Sequence, residues 1–139
     1  MPVLNDAARA LIDSGALAHV VTLNADGSPQ VTCIWVGMDG DEIVAGHLFD
    51  HRKLQNIRRD PRIAVSLQAS ERNAMDLDEY LVVYGTAQVV EGGGPEVLQR
   101  LAHVYFGDDR RFPTMDDPPP GFTMRITPTR ISGAGPWKQ

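Results

Sequence analysis

The order in which strand-like and helix-like segments follow one another constrains this chain most: one helix, three strands, one helix, two strands, one helix and a last strand. Leu4, Ala7, Ala8, Leu11 and Ile12 recur at helical spacing, with Asn5 or Asp6 as cap and Ser14-Gly15 as terminator. The β-branched run 16–24 then meets the turn Ala25-Asp26-Gly27-Ser28, which predicts a hairpin with a second strand over 29–38. A turn at Asp39-Gly40-Asp41 leads into a third strand, 42–49, so the first three strands are expected to form a meander. The period becomes helical over 50–60, where Leu54 and Ile57 mark a buried face and Pro61 ends the run. Strands over 62–69 and 79–90 follow, then a glycine run into a helix over 96–106, a long loop over 107–121, and a strand over 122–131. Helices inserted singly among antiparallel strands leave sheet edges to be hidden, and a closed or nearly closed barrel hides them best; an open sandwich is the alternative.

At 139 residues the chain suits one domain, 1–139, with a single core. Its net charge of -5 argues against a general nucleic-acid surface, so any anion site must be local. The only cysteine, Cys33, cannot form an intrachain disulfide, and the first residues lack a charged leader followed by an apolar run. A cytoplasmic protein is therefore expected. No apolar stretch approaches the roughly 20 residues of a membrane helix. The four histidines are scattered without metal-ligand spacing, so no metal is expected. A GxSxG elbow is absent, and Gly92-Gly93-Gly94-Pro95 lacks the lysine of a phosphate loop and reads as a linker into a helix.

The chemistry concentrates in Asp50-His51-Arg52-Lys53-Leu54-Gln55-Asn56-Ile57-Arg58-Arg59-Asp60-Pro61. If Asp50 caps this helix, three basic residues occupy its first turn, where the helix dipole disfavours each cation by roughly 0.3 to 1 kcal/mol. Free backbone N–H groups at the same end already favour an anion, so cations placed there are explained by a bound phosphate. At 100° per residue Arg52, Lys53, Asn56 and Arg59 cluster on one side, with Leu54 and Ile57 turned toward the fold. The simpler alternative is a solvated basic face.

The string Pro29-Gln30-Val31-Thr32, followed by Arg52-Lys53-x-x-Asn56-Ile57-Arg58-Arg59-Asp60-Pro61-Arg62, resembles the pyridoxamine 5'-phosphate oxidase-like superfamily of FMN-binding split barrels. Within it, the likeness is strongest to the small actinobacterial flavin/deazaflavin oxidoreductases, group B, that use coenzyme F420. The resemblance implies a mainly β fold with inserted helices, an antiparallel split β-barrel. It also implies a homodimer with the cofactor at the interface, and hydride transfer from F420 to a small electron-poor acceptor such as an enone or quinone. FMN is the alternative cofactor, in an oxidase or flavin reductase, and a non-catalytic cofactor carrier is a third reading.

By that resemblance Arg52 and Lys53 grip the phosphate and Asn56 adds a polar contact, while His51 stands where many relatives carry arginine and supplies a pH-dependent cation. The ring is expected against Gln30, Val31, Thr32, Cys33 and Ile34 on the second strand and Gly46, His47, Leu48 and Phe49 at the end of the third. Gly46 suits a close approach of backbone to ring. Gln30, Thr32 and Ile34 share one strand face. Trp35, Tyr84, Tyr105, Phe106 and Trp137 are candidates for contacts with a second subunit or with substrate, Trp137 being the least suited to a core, and the 107–121 loop is a lid or interface candidate. No side chain is singled out for the chemistry, which belongs to the cofactor.

Overall fold

The computed structural model describes residues 3–138. Its elements are α1 (Asp6–Ile12), β1 (Ala18–Leu23), β2 (Pro29–Ile34), β3 (Gly37–Asp39), β4 (Glu42–His47), α2 (Arg52–Arg59), β5 (Arg62–Arg72), β6 (Asp78–Glu91), α3 (Gly94–Tyr105) and β7 (Phe122–Ala134). Seven strands form one antiparallel sheet in the order β2-β1-β5-β6-β7-β4-β3. This is the split-barrel architecture, but the sheet is not closed: β2 and β3 are its two edges.

The expected second strand is therefore two strands, and the expected meander does not form. β2 pairs with β1 as far as Ala18↔Ile34, and β3 pairs with β4 from Gly37↔Val44. Between them the ladder is replaced by a side chain. The Val36 N–H donates to the Tyr105 hydroxyl at 3.0 Å, and that hydroxyl donates to the Ala16 carbonyl at 2.7 Å. Backbone groups that lose a strand partner are thus satisfied by α3.

The core lies inside the curled sheet, built from alternate residues of each strand: Ala18 and Val20, Ile43 and Ala45, Ile63, Val65 and Leu67, Leu81 and Val83, Met124 and Ile126. Helix α1 covers one end. Asn5 caps it, accepting from the Ala8 N–H at 2.9 Å, and Ala8 and Ile12 are fully buried. Asp13, just past its end, accepts from the Met38 N–H at 2.8 Å and fixes the helix to β3. Helix α2 lies at the other end, where β1 finishes and β5 begins, with Leu54 and Ile57 turned inward. Helix α3 packs outside on β4 at Gly46 through Leu98 and on β3 at Gly37 through Leu101, and it starts at Gly94, so the glycine run is the beginning of the helix as well as its approach.

Candidate functional site

Helix α2 begins one residue later than expected. His51, not Asp50, is its N-cap, and its side chain makes no capping hydrogen bond. Asp50 is turned away to Arg58, at 2.8 Å. The first turn therefore holds no acidic residue, and its leading N–H groups have neither a carbonyl four residues back nor a capping side chain. The expected division of this helix into an anion face and a fold face also fails. Lys53 and Asn56 are buried together with Leu54 and Ile57, while Arg52, Gln55, Arg58 and Arg59 stay exposed.

The two buried polar residues of α2 differ in what surrounds them. Asn56, 3 % exposed, is fully engaged: its amide donates toward Thr22 Oγ1 at 3.1 Å, Asn24 Oδ1 at 3.1 Å and Gln30 Oε1 at 3.2 Å. Its carbonyl accepts from Arg59, which also donates to the Leu23 carbonyl. Asn56 and Gln30 thus tie α2 to the β1–β2 hairpin. Lys53, 8 % exposed, forms no ion pair with any carboxylate among the described residues, and burial lowers the pKa of its ammonium. Its Nζ is not among the buried atoms left without a partner and so keeps some contact with water, but an ammonium so largely enclosed without a counter-ion favours an anion beside it.

Next to it, His47 ends β4 on the inward face that carries Ile43 and Ala45. It is 5 % exposed, and neither ring nitrogen has a hydrogen-bond partner. Burial first, then the neighbouring Lys53 and His51, push its pKa down to about 3, so the imidazole is neutral at physiological pH. The exposed His51 ring lies 5.8 Å from it, and the Phe49 ring, also exposed, lies 6.3 Å from His51. Burial and Lys53 lower the His51 pKa, against the opposing pull of Asp50. A further orphan, Thr32 Oγ1, is buried without a partner on the inward face of β2.

The structure thus brings together His47, His51 and Lys53, with Arg52, Leu48 and Phe49 adjacent to them in the chain and Asn56 bonded to Gln30 of β2. It separates others from them. Val31 and Cys33 project from the outer face of β2, opposite Gln30, Thr32 and Ile34, so the five cannot line one surface of a ring within a single chain. Gly46 belongs to α3: a Cβ there would stand 2.7 Å from the Gly94 carbonyl and 3.1 Å from Leu98, so the close approach it permits is helix to strand, not backbone to ring. Gly94 and Gly121 in turn sit against the His47 carbonyl, where any Cβ would collide. Thr22, Asn24 and the glycines at 94 and 121 escaped the sequence reading; a threonine at an inward-alternating position of a buried strand was the available signal.

The aromatic expectations are redistributed. Trp137 is core, 3 % exposed, with its indole N–H donating to the Tyr80 carbonyl at 3.0 Å. Trp35 stacks on Tyr105 at 5.2 Å and meets Phe106 and Phe112 edge-on, joining the β2–β3 connection to α3 and the 107–121 loop. Tyr84 lies under the Arg130 guanidinium at 4.0 Å on the outer sheet face. A groove of about 920 Å³ opens between α1, the start of β1 and the end of β5, and a smaller one of about 320 Å³ lies between α3 and the 107–121 loop. Neither touches α2. Among the described residues no three metal-ligating side chains converge, and no helix is long and apolar enough to cross a membrane.

A curled antiparallel sheet with β2 and β3 as its edges, and a basic helix directly after β4, define a split-barrel protein of the flavin-binding type. The chain belongs to the pyridoxamine 5'-phosphate oxidase family, whose model matches residues 4–134. Among solved structures it is similar to an F420 reductase, at 25 % identity over 89 % of this chain and 94 % of that one, with a TM-score of 0.72. A conserved hypothetical protein of Mycobacterium tuberculosis shares the fold at 22 % identity, 94 % and 84 % coverage and a TM-score of 0.72. A heme binding protein from Mycobacterium smegmatis does so at 19 % identity and a TM-score of 0.61, over 94 % of this chain and 53 % of that one. No protein of curated function matches the sequence.

Proposed function

We propose that this protein is an oxidoreductase that holds coenzyme F420 by its phosphate at the α2 end of the barrel and reduces a small electron-poor organic acceptor, an enone or quinone. The observation that carries the reading is Lys53, buried without a counter-ion beside a histidine whose two nitrogens are unpaired. Lys53 and Arg52, with the free N–H groups of the first turn of α2, would hold the phosphate. His47 and Thr32 offer the unpaired polar atoms on the inward side, and Leu48 and Phe49 give the rim an apolar surface for a flat ring. When bound, the cofactor supplies the hydride; the chain's part is to anchor, orient and keep water away. The likeness to an F420 reductase supports the deazaflavin over FMN.

The reading includes a homodimer with the cofactor at the interface. Its support is the outer face of β2-β1-β5-β6-β7, where Val31 is 59 % exposed, Cys33 is exposed, and the part-exposed Val21, Ala64, Val82 and Tyr84 stand on the same side, Tyr84 beneath Arg130. The exposed free thiol of Cys33 is in keeping with a cytoplasmic protein. The test is to titrate purified protein separately with F420 and FMN, following tryptophan fluorescence, and then to measure oxidation of the reduced cofactor against enones and quinones. Tight F420 binding with turnover is expected. Tight FMN binding without response to F420 reverses the cofactor assignment, and binding without turnover on any acceptor makes the protein a carrier. Light scattering of the same sample checks the dimer.

A further inference from the structure

Three groups able to carry positive charge converge where β4 runs into α2, and they cannot all be charged in the free protein. Lys53 is buried and has no acid partner; His51 and His47 stand with their rings 5.8 Å apart beside it. The one nearby carboxylate, Asp50, is paired with Arg58 at 2.8 Å. On the other side, the strand partner of His47 on β7 is Phe122, whose ring lies 5.4 Å from the Arg58 guanidinium, and α3 contributes Gly94, so these neighbours bring no acid to the cluster. Burial first and the Lys53 ammonium second push both histidines toward the neutral form, and an anion entering the cluster opposes the second cause at the one that still meets water.

We propose that filling this anion site is coupled to the uptake of one proton from solvent by His51, with His47 remaining neutral and donating a hydrogen bond from its ring. The inference rests on the reading that a phosphate occupies the site. The two histidines divide the work by depth. His51 is exposed at the helix N-cap, where imidazolium is solvated on one side and faces the anion on the other. His47 is enclosed, and the lowering of its pKa to about 3 is too large for a nearby anion to reverse near neutrality. A neutral ring carries one N–H donor and one acceptor nitrogen, both unpaired here, and an oxygen of the incoming anion can accept from the N–H.

The experiment uses the full chain and two probes, the F420 coenzyme and inorganic sulfate, the latter chosen because its own charge is constant over the window from about pH 5 to pH 8 in which histidine titrates. Histidine resonances are followed by NMR, the four signals being assigned with His51→Arg and His47→Gln. Sulfate is expected to raise the midpoint of His51 and leave His47 neutral. The dissociation constant should weaken by up to roughly tenfold per pH unit between the His51 midpoint of the free protein and the raised one, and level off above it, as linkage of one proton requires. His51→Arg should bind both probes with a flat pH profile. If both probes bind but the His51 midpoint and the affinity do not move with pH, the coupling is wrong while the phosphate site stands. If neither probe perturbs either histidine, the phosphate site itself is wrong and the coupling falls with it.

Discussion

The two ends of the barrel are closed by helices of opposite character. At one end α1 is short, capped by its own Asn5, and inserts Ala8 and Ile12 into the core, with Trp137 adding a buried ring whose only polar atom is satisfied. At the other end α2 brings Lys53 and Asn56 inside, leaves its first turn uncapped, and stands beside His47, whose two buried ring nitrogens have no partner. Every rule of stable construction is met at the first end and several are broken at the second. A chain tolerates such breaches where something other than stability sets the residues, because a buried unpaired polar group costs stability that must be recovered elsewhere.

The sharpest way to break that contrast is to damage the first end. Trp137→Ala should destabilise the protein by about 3 to 5 kcal/mol, the usual cost of emptying an aromatic site in a core, and leave the affinity of the refolded fraction for F420 unchanged. Chemical denaturation and fluorescence titration read the two effects; a loss of affinity without a loss of stability would show that the ends are not independent. At the second end, Lys53→Met should do the reverse. It removes an unpaired buried charge, so the free protein should melt no lower than the parent, while cofactor binding weakens by about 1.5 to 3 kcal/mol for a lost charged hydrogen bond.

Acid should also act on the second end alone. The pKa of His47 falls from 6.5 unfolded to about 3 folded, so the unfolded chain binds the proton more readily. Stability is therefore complete above pH 6.5 and declines as pH falls below it, by about 2 kcal/mol at pH 5 if that group acts alone. The denaturant midpoint measured at pH 7 and pH 5 checks this, and His47→Gln should remove most of the difference. The smallest effect belongs to the cap of α1: Asn5→Ala should cost about 1 kcal/mol in thermal or chemical unfolding, with no change in binding.

Much of this contrast was legible in the sequence, and what was not has physical reasons. α1, α3 and the two long strands β5 and β6 fall within a few residues of their predicted spans because period, caps and breakers agree there. The break at Trp35–Val36 carries no proline, glycine or polar residue, so a continuous apolar run hid it; only Tyr105, distant in sequence, shows why the ladder stops. Asp50 has the better N-cap side chain, yet its pairing with Arg58 yields the position to His51. Trp137 looked peripheral because two glycines precede it, whereas Gly135 is the residue that lets the chain fold back closely enough to seat the indole. Which of the basic helix's side chains enter the barrel depended on the pose of α2 against the sheet, which a helical wheel does not contain.

The seam between β2 and β3 has a consequence for how the molecule breathes. Along every other line around the sheet, neighbouring strands are stitched by backbone hydrogen bonds; here the connection between β2 and β3 is tied to the approach of β1 by the Tyr105 phenol, which reaches Ala16 and Val36 at once, and α3 also donates from Arg100 to the Met38 carbonyl of β3. Loosening Tyr105 frees the β2–β3 connection from β1, so the wall of the barrel has one built-in zip whose slider sits on α3. Amide hydrogens of β2 and β3 should exchange with solvent long before those of β5 and β6, and the interior is most readily wetted from that side.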